Sequence, residues 1–336
     1  MKKRLILLLM TLFLLTGCGF VDEFKTPVDP EDTSEIVVNI PSGSSTSSIG
    51  ETLVEYDLIY NTFIFKQTVK DLGYDGKLQA GEYKLSRSND LETIIEKLYS
   101  GDIYEETVTF TIPEGLELDE IIDVLIKKDV IDSREKFMEV LKSEVENYPL
   151  FADLELVNYE GLLFPDTYTI KKDASASEII NKMLKRMTSV FTEEMLNHIE
   201  ENNLDLYKII NLASIIEREI VHDDERAIAS SVFYNRLDVN MKLQSCATVQ
   251  YIIEERKPNL SNQDIAIEND YNTYMYTGLP PGPIASPGET SIKAAVYPAD
   301  TDYLYFVRSY ENDDSHIFST NLADHNKAAR KLHEGE

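Results

Sequence analysis

The chain has 336 residues, 43% of them hydrophobic, which is enough for two domains or one elaborate one built on a real core. Its 60 acidic residues outnumber 32 basic ones and give a formal charge of −28. A field of that sign repels nucleic acid and anionic lipid headgroups and argues against both as ligands, while a neutral or zwitterionic polymer remains acceptable. No Cys-x-x-Cys or Cys/His cluster points to a metal, and nothing in the sequence calls for a cofactor.

In chain order, Lys2-Lys3-Arg4 precedes an apolar run from Leu5 to Leu15, too short to favour a spanning helix. The run ends in Leu15-Thr16-Gly17-Cys18, which resembles the lipobox of bacterial lipoproteins. That resemblance implies a signal peptide over residues 1–17, cleavage before Cys18, and lipid on its thiol and new amino group. A short uncleaved anchor is the other reading. Either way the remainder is expected at the extracytoplasmic face of the bacterial cytoplasmic membrane. With Cys18 acylated, Cys246 has no partner for an intramolecular disulfide. Residues 18–35 are polar, carry Pro27, Pro30 and several acids, and read as a tether.

An internal duplication follows. Ile40-Pro41-Ser42-Gly43 recurs as Ile112-Pro113-Glu114-Gly115. At the same interval Ile49 matches Ile121, Leu53 matches Leu125, Asp57 matches Asp129, Ile59 matches Ile131 and Phe65 matches Phe137. At a longer interval Tyr83 matches Tyr168 and Ile94-Ile95 matches Ile179-Ile180, so the second copy carries an insertion near Glu146–Glu160. Two related supersecondary units over residues 36–103 and 104–190 are the physical reading. In the first, Val37–Ile40 alternates as a strand, Ser47–Tyr56 has helical spacing, Gly81–Leu85 is a short strand, and Asn89 or Asp90 caps a helix Leu91–Leu98. The pattern is similar to LysM-type folds, which bind cell-wall sugars in other proteins. A purely structural role fits the first unit equally well.

From about Thr192 the spacing turns mainly helical, and residues 191–336 are expected to form the catalytic domain. The spacing predicts helices over Glu193–Glu201, Leu204–Glu219 and Asp224–Leu237, with Asp223 or Asp224 capping the third. Asp270–Gly288 is rich in Pro, Gly and Tyr and reads as an ordered loop. A short helix Thr290–Ala295, strands Tyr303–Val307 and His316–Phe318, and a helix Leu322–Leu332 close the chain. The fold class is therefore α+β: tandem LysM-like β/α units, then a mainly helical domain with a small β element. At about 100° per residue, Glu219 falls on the apolar stripe of Leu212, Ile215 and Ile216, whereas Glu217 faces elsewhere. A carboxylate on an apolar stripe is expensive to keep ionised, which suits a general acid.

The motifs then accumulate in order. Glu160-Gly161-Leu162-Leu163-Phe164-Pro165-Asp166-Thr167-Tyr168 precedes Ala213–Glu219, Ser231-Val232-Phe233-Tyr234-Asn235-Arg236-Leu237 and Met241-Lys242-Leu243-Gln244-Ser245. Tyr271-Asn272-Thr273-Tyr274, Gly278–Gly288, Tyr303–Val307 and His316–Asn321 follow. The set resembles the MltG (YceG-like) family of endolytic peptidoglycan transglycosylases over roughly residues 37 to 332. The resemblance implies that Glu219, second of the Glu-x-Glu pair, is the catalytic residue, with Glu217 an orienting group. It implies cleavage of the β-1,4 bond between N-acetylmuramic acid and N-acetylglucosamine, with closure of a 1,6-anhydro ring and release of nascent strands. Implied partners are peptidoglycan strands, the membrane through the N-terminal lipid, and peptidoglycan synthases.

By chemistry, Asn235, Gln244, Asn272 and Asn321 offer donors and acceptors to N-acetyl and hydroxyl groups, and Tyr271 and Tyr274 could pack on sugar faces. Arg236 reads as a structural ion-pair partner. His316 and His325 are tempting acid–base groups that the family does not require. One departure stands out: the family usually carries Asp-Pro where this chain has Cys246-Ala247. Two alternatives stay open, a non-catalytic peptidoglycan-binding lipoprotein scaffold and a water-using muramidase with a second carboxylate, for which Asp223, Asp224 and Glu225 are merely nearby in sequence.

Overall fold

The computed structural model describes residues 23–253, 255–309 and 313–334, so the signal peptide and Cys18 lie outside the described residues. No helix among the described residues is long and apolar enough to cross a membrane. The architecture is mixed helix and strand, and the chain divides into two compact units at Glu106/Thr107.

In the first unit, strand β1 (Glu35–Ile40) pairs antiparallel with β2 (Gly81–Ser86), Ile40 lying opposite Gly81. Helices α1 (Thr46–Glu55) and α2 (Thr62–Asp71) connect them, and α3 (Leu91–Ser100) follows. Each helix begins on a polar side chain. Ser45, Asn61 and Asp90 accept from the backbone N–H groups of Ser48, Ile64 and Thr93, which would otherwise lack partners. Val38, Ile40, Ile49, Leu53, Phe65, Val69, Tyr83, Leu85, Ile94 and Ile95 form the core.

The same order recurs in the second unit as β3 (Thr107–Thr111), α4 (Leu118–Lys127), α5 (Arg134–Glu146), β4 (Thr167–Lys171) and α6 (Ala176–Val190). The matched residues are structurally equivalent in detail. Ile49 and Ile121, Leu53 and Leu125, and Phe65 and Phe137 are all buried. Asp57 and Asp129 both take left-handed backbone, with φ of 56° and 54°. The Tyr83 and Tyr168 hydroxyls donate to the carbonyls of Gln79 and Phe164, four residues back in each case.

The segment expected to be a tether behaves otherwise from Glu23 onward. Glu23–Lys25 forms a 3₁₀ turn, and the Phe24 ring meets the edge of Tyr60. The Asp29 N–H donates to the Arg87 carbonyl and the Ser88 N–H to the Asp32 carbonyl. Arg87 also reaches the carboxylates of Asp29, Asp32 and Asp57. A low-hydrophobicity stretch is held here by backbone pairing and charge, neither of which composition reveals.

The insertion of the second copy, residues 147–166, buries Phe151, Leu162, Leu163 and Phe164. Those side chains belong to one continuous core with the helices that follow. These are α7 (Glu193–Glu201), α8 (Leu206–Glu219), α9 (Asp223–Asp238), the short α10 (Cys246–Gln250) and α11 (Glu289–Val296). Strands β5 (Tyr305–Arg308) and β6 (His316–Ser319) form an antiparallel pair, and α12 (Leu322–Glu334) packs on them. Helix α8 is the axis of this half: every residue from Ile209 to Ile216 is buried. The N-cap of α9 is His222, so Asp223 and Asp224 sit inside the first turn, where the helix dipole favours acids.

Glu160 ties the insertion to the repeat. Both of its carboxylate oxygens accept the Leu118 N–H at the start of α4, at 2.9 and 3.1 Å. Burial raises its pKa to about 8 despite that bond. The folded-state value lies above the unfolded one, so the stabilising contribution is present below about pH 4.5 and is lost as pH rises through about 8. Glu160→Gln keeps an acceptor for Leu118 and should flatten this loss, read from urea unfolding of parent and variant across pH 5 to 9. A second outcome concerns the left-handed turn at Asp129. Asp129→Gly should be neutral or stabilising by up to roughly 1 kcal/mol, whereas Asp129→Val should cost about 1–2 kcal/mol in the same assay.

Candidate active site

The last turn of α8 carries two carboxylates with different duties. The Glu217 side chain is enclosed, only 7% exposed. Its Oε2 accepts from Arg226 Nη1 at 2.9 Å, the Gly288 N–H at 2.9 Å and Ser291 Oγ at 2.8 Å. Arg226 also bonds Ser291 and, at 3.0 Å, Asp223. Glu217 therefore binds the end of α8 to α9 and α11. Next to it, Arg218 donates to the Gly115 carbonyl at 2.9 Å, and Gly115 and Leu116 pair with Ser286 through backbone bonds. The repeated Ile-Pro-x-Gly turn of the second copy thus holds the α8 terminus from another side. A Cβ at Gly288 would meet the Glu114 carboxylate at 2.0 Å, so a larger residue there would have to displace that side chain.

Glu219 is the last residue of α8 and, like Glu217, is intermediate in burial, so the stripe alone does not separate the pair. The helix is buried all round over its middle turns, and its neighbours, rather than the angle of one stripe, decide what each acid meets. Glu219 Oε1 accepts from the Ser245 hydroxyl and from the Ala247 N–H, the latter at 2.9 Å. Among the described residues no hydrogen bond reaches Oε2. One oxygen is fixed and the other is open.

The loop that supplies these donors is built with care for backbone groups. Gln244 takes left-handed φ of 50°, and its N–H donates to the Thr273 carbonyl at 3.1 Å. The Ser245 N–H donates to Thr273 Oγ1 at 3.0 Å, and Thr248 Oγ1 bonds both the Ser245 carbonyl and Thr273 Oγ1. Arg236 is buried and donates to the carbonyls of Leu243 and Leu304 at 2.5 and 2.6 Å. It is thus a carbonyl bracket rather than the expected ion-pair partner, and burial lowers its pKa.

The sugar-binding candidates separate into distinct groups. Gln244 is exposed, on the loop leading into Ser245. The Tyr274 hydroxyl lies 3.1 Å from Cys246 Sγ. Its pKa is raised by burial first and then by its neighbours Cys246 and Glu219, which places it beside the catalytic candidate. Cys246 is exposed as a residue, yet its sulfur is desolvated enough to push the thiol up. Tyr271 lies elsewhere. Its hydroxyl accepts from Asn158 Nδ2 at 2.7 Å, and burial pushes it up to about 12. It lines a concavity of about 510 Å³ with Val157, Asp270, Tyr276 and Pro281.

Three expected ligands for sugar are otherwise engaged. Asn272 is fully buried, its amide donating to the Ile265 and Ile267 carbonyls and accepting the Tyr274 N–H. Asn235 spends its amide N–H groups on the Thr301 and Tyr303 carbonyls. Asn321 accepts the Asp324 N–H at the start of α12 and donates to the Asp324 carboxylate. A neutral amide reads alike from sequence whether it satisfies a loop or a sugar. His316 is held by Glu225 at 2.8 Å, and the His325 ring packs against Tyr305. Sequence reasoning missed Ser245, the Ala247 N–H and the Arg226 bracket. Ser245 stood in a quoted motif, but only the fold brings it to Glu219.

The chain is similar to known proteins along most of its length. The model of the YceG-like family matches residues 38–331. The endolytic murein transglycosylase of Bacillus subtilis (strain 168) is 37% identical over 321 residues, covering 91% of this chain and 87% of that protein. The protein of the same name from Streptococcus pneumoniae serotype 2 (strain D39 / NCTC 7466) is 31% identical, and the match spans 93% of this chain but only 61% of that longer protein. A crystal structure of a yceG-like protein from Listeria monocytogenes superposes with a TM-score of 0.59 at 34% identity, covering 87% of this chain and 98% of that one. The chain, by its sequence and its fold, belongs to the YceG-like family.

Proposed function

We propose that the chain is an endolytic murein transglycosylase with Glu219 as its single acid–base. The observation that carries this reading is the asymmetric hold on Glu219: Oε1 bound by Ser245 and Ala247, Oε2 open. The names of the relatives support the substrate class.

In the proposed reaction, protonated Glu219 donates to the glycosidic oxygen, and the bond from C1 of N-acetylmuramic acid to that oxygen breaks. N-acetylglucosamine leaves with the proton on its O4. Positive charge develops at C1. Glu219, now ionised, takes the proton of the C6 hydroxyl of the same sugar as that oxygen bonds C1, which closes the 1,6-anhydro ring and restores the acid. A hydrolase working on two carboxylates needs a second one across the sugar. Asp223 is taken by Arg226 and Glu225 by His316, which favours the intramolecular hydroxyl as nucleophile.

The lipobox-like Leu15–Cys18 supports acylation of Cys18 and a position at the outer face of the cytoplasmic membrane, where nascent strands are released near their synthases. The paired β/α units support a LysM-like role in holding glycan.

Digestion of purified glycan strands with parent and Glu219→Gln, followed by mass spectrometry of the ends, tests the reading. The parent should yield anhydro ends, and the variant should be slower by about a hundred- to ten-thousandfold. Reducing ends would mean hydrolysis, and intact strands bound by both proteins would mean a scaffold. Ser245→Ala removes the hydroxyl bond to Oε1. It should lower kcat by roughly ten- to hundredfold with little change in KM, checked by steady-state kinetics.

A further inference from the structure

We propose that the outer face of α2 is a bilayer-contacting surface, with Phe63 entering the headgroup–acyl boundary and Lys66 and Lys70 meeting lipid phosphates. The inference goes beyond catalysis and rests, for its placement, on the reading of Cys18 as the lipid anchor.

Phe63 is 74% exposed, the most exposed of the large hydrophobic residues described. It is not a frayed end, since it stands in the first turn of a capped helix whose opposite face, Phe65, Thr68 and Val69, is buried. At 100° per residue, Lys66, Gln67 and Lys70 share the Phe63 side of α2. Both lysines are exposed, and neither has a carboxylate within salt-bridge distance among the described residues. A chain of formal charge −28 thus presents an aromatic ring with two unneutralised ammonium groups on one helical face. An aromatic residue flanked by lysines is the composition that settles at a membrane interface. Global repulsion does not prevent it, because fields beyond a Debye length of about 8 Å are screened and the nearest charges dominate.

The start of the described chain points to the same surface. Phe24 packs edge-on against Tyr60 at 5.8 Å, and the Tyr60 hydroxyl donates to the Pro27 carbonyl at 3.2 Å. Tyr60 immediately precedes Asn61, the cap of α2. Cys18 stands only a few residues before Glu23, at most roughly 18 Å of extended chain. An acyl chain on Cys18 would hold the α2 face within reach of the bilayer to which it is anchored.

The chain contains no tryptophan, so Phe63→Trp introduces a sole indole at an exposed site that leaves the core intact. The mature chain from Gly19, with a hexahistidine tag in place of Cys18, is held on nickel-chelating vesicles of phosphatidylethanolamine and phosphatidylglycerol. The indole emission should shift to shorter wavelength and fall at least about twofold when the acyl chains are brominated. Adding Lys66→Glu and Lys70→Glu should remove most of that quenching. Emission on the tethered chain identical to that in water, or quenching indifferent to the lysine replacements, overturns the proposal. The tag replaces the lipid, so the readout does not depend on acylation, and the mass of the native amino-terminal peptide tests that reading separately.

Discussion

The site depends on holding the end of one buried helix still while leaving a single oxygen atom free. A helix terminus frays unless its orphan carbonyls and its side chains find partners. Here the enclosed Glu217–Arg226 pair does the anchoring, reinforced by the Gly288 N–H and the Ser291 hydroxyl. Breaking one side of such a pair leaves an uncompensated buried charge, a cost of about 3–5 kcal/mol. That rigidity gives meaning to the two bonds on Glu219 Oε1. They fix a carboxylate whose backbone is already fixed, so Oε2 points one way.

The second repeat is part of this machinery, while the first closes its own core. The two share strand pairing, the left-handed aspartate and the tyrosine hydroxyl bond. They differ in the insertion at residues 147–166. It buries Leu162, Leu163 and Phe164 in the core shared with α8, and Gly161 passes so close to Ala285 and Ile210 that a Cβ would sit 3.1 Å from each. Arg218 completes the link by reaching back to the repeated turn at Gly115. A duplicated module has in this way become a wall for the helix that bears Glu217 and Glu219.

Much of the fold was legible because it rests on local signals. Helical spacing located α7, α8 and α9 to within two residues, and the repeat was visible because equivalent core positions need equivalent side chains. Helical spacing put Glu219 at the end of α8, but the partners that hold its carboxylate come from segments distant in sequence. Amides failed as a guide: Asn235, Asn272 and Asn321 all satisfy carbonyls or a helix start, duties that a loop-rich domain creates in number. The enclosure of the Glu217 side chain was invisible for a related reason. It is decided by α9 and α11, whose placement is a property of the whole core. The structured segment from Glu23 was hidden because Arg87 and the backbone, rather than apolar burial, hold it.

The Cys246-Ala247 departure takes on a different meaning in three dimensions. Read as sequence, it removes an acid from a cleft. In the structure, position 247 supplies a backbone N–H to Glu219, and a proline there has none to give. Against the family's usual pair, the chain has one carboxylate fewer and one hydrogen bond more to Glu219. Cys246 keeps a place in the same cluster, its sulfur against the Tyr274 hydroxyl. The difference at this pair therefore touches both the charge next to Glu219 and the donors that reach it. The substitution is thus coupled chemistry at one corner of the site, and its two halves should be read together rather than as the loss of a ligand.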